Sequence, residues 1–106
     1  MTEYQDTSGL FDRLIVLNRE ALDAEYYTTA YHTLATALHA AYLYEDAEGC
    51  ATVERLAREQ LVVIDRTAPA YEYSTQSAQT RGHQSIFLRL TRQAHVLFLI
   101  LADDPA

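Results

Sequence analysis

The side chains able to coordinate, titrate or attack are few and widely spaced. His32 and His39 share a helix face, but a spacing of seven residues sets them ~10.5 Å apart along the axis, too far for one ion. The Glu-x-x-His pairs that hold two metals between facing helices are missing, as are HExxH and a second cysteine for a structural zinc site. No metal or other cofactor is therefore expected. Cys50 falls on an apolar stripe, where a thiol behaves as a small hydrophobe with a high pKa. The serines lack a G-x-S-x-G elbow, and no glycine-rich loop is present to cradle phosphate. No constellation for catalysis emerges.

One stretch stands apart. STQSAQTRGHQS, Ser74 to Ser85, holds eight hydroxyl or amide side chains, with Arg81 and His83 and no acid. It opens an acid-free segment from Tyr73 to Ala102 that carries Arg81, Arg89 and Arg92, while the rest of the chain has five arginines and fifteen acids. On a helical projection Arg81, Ser85, Arg89, Arg92 and Val96 lie on one side. With the positive end of a helix dipole, Arg81, His83, Ser85 and Arg89 form a candidate anion site, and Ser77 and Thr80 would donate further hydrogen bonds. The structural alternative is that Ser and Thr cap a helix, Gly82 supplies a permissive backbone angle, and the arginines pair with acids elsewhere.

These residues need elements to hold them, and the pattern is helical throughout. Only three glycines and two prolines occur, against sixteen alanines and many Leu, Glu and Arg residues. Leu10, Leu14 and Leu17 give a first helix over 9–17, with Asn18 as a break or N-cap; a helix continuing through Asn18 is the alternative. A second helix over 19–45 carries the stripe Ala24, Tyr27, Tyr31, Leu34, Leu38, Ala41 and Tyr42. Its other side, with Thr28, Thr29, His32, Thr36, His39 and Ala40, is small and weakly polar, either a second packing surface or an ordinary solvated one. Asp46 is a candidate N-cap for a third helix over 48–66, striped by Cys50, Val53, Ala57, Leu61 and Ile64, with Glu54 and Arg58 paired outside.

Pro69 ends that helix. A long connection over 67–80 follows, shortened if Ser74 to Ala78 form a turn of helix. The last helix, over 83–102, has its stripe at Phe87, Leu90, Ala94, Leu97 and Leu101. Its final turns, VLFLIL, are apolar all round, as for a helix end covered on every side. The expected fold is all-α, a small antiparallel bundle of about four helices in one domain spanning 1–106, frayed at 1–8 and 103–106. The pair over 19–66 has about the size of a tetratricopeptide unit, and Tyr31, Leu34 and Ala35 suit its consensus, but no second copy follows.

A formal net charge of -7 opposes binding to nucleic acid or anionic membrane. The run Gln93 to Ala102 is about half the ~20 residues a spanning helix needs. The N-terminal MTEYQDTSG has neither the basic nor the apolar region of a secretory signal, so the expected compartment is the cytoplasm. Five of eight tyrosines lie between Tyr26 and Tyr44. Tyr26 and Tyr44 project to a flank that suits either a subunit contact or the rim of a core. With Val96, Leu99 and Ile100 they are the candidate interface residues. The function expected is therefore non-enzymatic: self-association, as a homodimer, and docking to another protein. The alternative is a small anionic-ligand binder, or an enzyme, with its site at the start of the last helix.

Overall fold

Two glutamates decide where the first three helices separate. Glu25 and Glu45 adopt φ of 66° and 58°, the left-handed region, each one residue before the next helix's N-cap. At both places the chain closes with the same paired bonds: Glu25 N–H to the Leu22 carbonyl with Tyr26 N–H to Ala21, and Glu45 N–H to Tyr42 with Asp46 N–H to Ala41. This is the Schellman arrangement, usually supplied by glycine. Three-residue connections made in this way fold successive helices back on one another.

The computed structural model describes residues 7–103. Its helices are α1 (Thr7–Asp23), α2 (Tyr27–Leu43), α3 (Ala47–Thr67), α4 (Thr75–Thr80) and α5 (Ile86–Ala102). The expected all-α bundle is present, four long helices and one short. The break expected at Asn18 is not: α1 runs through it, and the chain turns at 24–26 instead. Ala24, placed on the core stripe of a longer second helix, is exposed in that turn. The last helix starts at Ile86 rather than at residue 83. Of the frayed ends, 1–6 and 104–106 lie outside the described residues, while Thr7 and Ser8 already belong to α1.

Each long helix packs on the one before it: α2 on α1, α3 on α2 and α5 on α3, with a lighter contact between α2 and α5. The extents of 47 × 32 × 16 Å leave room in the thinnest direction for two helix layers. α2 is packed between α1 and α3, and α3 between α2 and α5. The core is Leu34, Ala37, Leu38 and Ala41 of α2, Cys50, Val53, Leu56 and Ala57 of α3, and Leu90 and Ala94 of α5; Phe11, Leu14 and Ile15 of α1 close against it. Alanines at four of these ten positions let the helix axes approach closely, which is why an alanine-rich chain makes this core.

One cap falls where the sequence places it, at Asp46, and a second opens the short helical turn after Pro69. The Asp46 carboxylate accepts from Gly49 N–H at 2.9 Å, and the Ser74 hydroxyl accepts from Ser77 N–H at 3.1 Å. Gly49 is needed there, because a Cβ would lie 2.6 Å from Asp46 Oδ2 and 3.0 Å from Ala41 Cβ. The 67–80 connection is structured. Asp65 accepts from both Thr75 N–H (2.8 Å) and Thr75 Oγ1–H (2.7 Å), and the Ser74 and Ser77 hydroxyls both donate to the Pro69 carbonyl at 2.7 Å. Rings continue the tether: Tyr71 sits 5.2 Å from Tyr27 and 5.8 Å from Tyr73, whose ring lies 6.0 Å from His83. The Tyr71 and Thr28 hydroxyls share a 2.6 Å hydrogen bond. Burial raises the Tyr71 phenol above its ordinary value, only partly offset by that bond, and neighbouring Glu72 and Tyr73 raise it further.

Candidate functional site

The residues proposed for an anion site fall into four different settings. Arg81 is the C-cap of α4, where its backbone N–H bonds to Ser77 and Ala78. Gly82 follows at φ 84°, the left-handed turn its type permits. His83 lies in the connection, its Nδ1 3.1 Å from the Gln84 carbonyl. Ser85 is the N-cap of α5: it is buried, and its hydroxyl accepts from Phe87 N–H at 3.1 Å. Arg89 stands on the exposed side of α5. Only the helical bond from Arg89 N–H to the Ser85 carbonyl joins any two of the four; among the described residues no side-chain hydrogen bond or ring contact does, and the side chains of Arg81 and Arg89 meet no acid. Because α5 begins three residues later than the periodicity suggested, Arg81 and His83 precede its first turn instead of crowning it. Ser77 and Thr80 are committed to the Pro69 and Gln76 carbonyls.

Acid chemistry concentrates elsewhere, where α3 meets α5. Glu54 takes Arg58 Nη2 on one carboxylate oxygen at 2.9 Å and His95 Nδ1 on the other at 3.2 Å. Burial pushes the Glu54 carboxyl up, but the hydrogen bonds and charges of Arg58 and His95 outweigh it and hold the group below its usual value. A depression of about 380 Å³ opens beside this cluster, lined also by Thr91, Arg92 and Val96. A carboxylate oriented against an imidazole activates a nucleophile only if one lies in reach. The neighbouring Thr91 hydroxyl donates to the Phe87 carbonyl at 2.9 Å and is not free to do so. Cys50 is fully buried; desolvation, then the nearby Asp46 charge, pushes its thiol up and away from reactive thiolate. Among the described residues no group of three or more His, Cys, Asp or Glu side chains is placed to hold a metal, and no helix is long and apolar enough to cross a membrane.

The apolar candidates are better placed. Phe87, Leu90 and Ala94 of α5 are buried, whereas Val96, Leu99 and Ile100 on the opposite side are 53%, 50% and 54% exposed. The expectation that the VLFLIL turns are covered on every side is thus corrected: within one protomer their outer face is bare. A separate groove of about 430 Å³ lies between α2 and α5, lined by Leu38, His39, Tyr42 and Leu43 on one side and Leu90, Gln93 and Leu97 on the other. Leu43 and Tyr44 at the end of α2 are each 60% exposed. Tyr26 is exposed as well, but it is the N-cap of α2 and Tyr44 is the C-cap, so the two rings stand ~27 Å apart along the axis and form no common flank.

Sequence reasoning also missed a polar contact. Asn18 is fully buried, donating to the Ala30 carbonyl at 2.9 Å and to Gln60 Oε1 at 3.0 Å, while Gln60 Nε2 donates back to Asn18 Oδ1 at 2.6 Å. An amide in mid-helix among apolar neighbours was the available signal. No protein-family model, curated protein or solved structure matches the chain.

Proposed function

We propose that this chain is a non-enzymatic helical module that works by self-association, with the outer face of α5 as its contact face. The observation that carries this reading is the half-exposed set Val96, Leu99 and Ile100, at helical spacing on the side of α5 turned away from its own core. Exposed apolar side chains clustered in this way on one face suit a subunit contact. The absence of an activated nucleophile beside the Glu54–His95 pair leaves catalysis without support among the described residues.

Sedimentation velocity on the full chain, from about 1 µM to about 1 mM, tests the reading. A concentration-dependent monomer–dimer equilibrium is expected, weakened at least tenfold (about 1.4 kcal/mol) by Ile100→Glu, which places an uncompensated charge in the contact. A wild-type monomer over the whole range would end the proposal.

A further inference from the structure

The outer face of α5 carries more than apolar residues. Counting by threes and fours from Arg89, the positions are Arg89, Arg92, Val96, Leu99 and Asp103: the 3.5-residue repeat of a two-helix seam, basic at its start, apolar in the middle and acidic at its end. All five are exposed. The face opposite holds Phe87, Leu90 and Ala94 in the core, so this stripe is unpartnered in the protomer.

We infer that α5 pairs antiparallel with α5 of a second copy about a twofold axis, in the register that sets Val96 against Leu99 of the other protomer and Arg92 against its Asp103. The inference rests on the self-association reading and specifies its geometry. A twofold contact is isologous, so the stripe must complement itself reversed. This one does, for a single offset places both apolar pairs and both charge pairs together, about 16 Å of helix between Arg92 and Asp103. Parallel pairing would oppose Arg92 to Arg92 and Asp103 to Asp103, and like charges in register repel.

The protomer leaves both charged groups available. Arg92 has only the neutral Gln84 oxygen at 3.2 Å, and Asp103, whose backbone N–H caps α5 by bonding to Leu99, has no side-chain partner among the described residues. A carboxylate at the C-terminus of a helix is also unfavourable against the negative dipole end. An arginine arriving from a second copy relieves that, whereas nothing on the protomer's own α5 can, since its arginines are near its beginning. Arg89 lies one turn before Arg92 and extends the positive field toward the partner's acidic end.

Charge reversal tests the register. Arg92→Glu and Asp103→Arg, both exposed and checked for helical content by far-ultraviolet circular dichroism, are each expected to raise the dimer Kd about tenfold by turning two attractions per dimer into repulsions. The double variant restores both pairs with swapped signs and is expected to return to within about threefold of wild type. If wild type dimerises but the single variants match it, or the double is as weak as the singles, the register is wrong while self-association stands. If wild type stays monomeric, both fail.

Discussion

Asn18 and Gln60 show how one pair of side chains ties the first helix to the third. Each amide is closed upon the other, and Asn18 spends its second N–H on the Ala30 carbonyl of α2, so three helices meet in one polar contact inside an apolar surrounding. Buried amides are tolerated when satisfied and costly when orphaned. Asn18→Ala is therefore expected to destabilise by about 2–4 kcal/mol, combining a small cavity with an unpaired Gln60 amide, the Ala30 carbonyl keeping its bond from the Thr33 hydroxyl. The double replacement Asn18→Leu with Gln60→Leu should recover much of the loss, because it removes both members. Urea denaturation reads both; a loss under about 1 kcal/mol for Asn18→Ala would mean that water takes over the vacated bonds.

The helices themselves are separated by backbone strain at Glu25 and Glu45. A side chain at positive φ costs about 1–2 kcal/mol, partly offset because glycine would lose more freedom on folding, about 0.5–1 kcal/mol. Glu25→Gly and Glu45→Gly should each stabilise by about 0.5–1 kcal/mol, seen as a higher Tm, and a lower Tm would refute the strain account. The same turns explain what could be read beforehand. Asp46 was legible because a cap binds an N–H three residues away, a local event. The stripes of α3 and α5 were legible because their spacing repeats. The α1/α2 turn was not, since Ala24, Glu25 and Tyr26 include none of the residues that usually mark one, while Asn18, a good capping type, invited the break; its true partner lies 42 residues on. The start of α5 was blurred by a row of polar residues, of which Ser85 alone provides the cap. VLFLIL looked covered because a one-sided and an all-round apolar helix end share the same composition.

At the scale of the whole molecule, a flat, elongated shape of 47 × 32 × 16 Å leaves much surface for its size. The radius of gyration is 14.6 Å, against about 13 Å for a compact domain of this length. The acid-free 73–102 segment, with α5, is laid on α3, which carries four acids and three arginines. Glu54 is where they meet, bonded to Arg58 within α3 and to His95 across the helices. Its carboxyl is held below the usual value, so its folded pKa lies under the unfolded one, about 4.3. A group depressed in this way contributes stability that is fully present above the unfolded pKa and is lost as pH falls through the folded one. Tm should accordingly fall below about pH 5. Glu54→Gln, which cannot ionise, should lower Tm near neutral pH yet lie progressively closer to wild type as the solution is acidified, the gap closing once Glu54 itself is protonated. A gap that stays constant from pH 7 to about pH 3 would show that the carboxylate's charge does not hold α5 on α3, leaving the hydrogen bond's shape alone to do so.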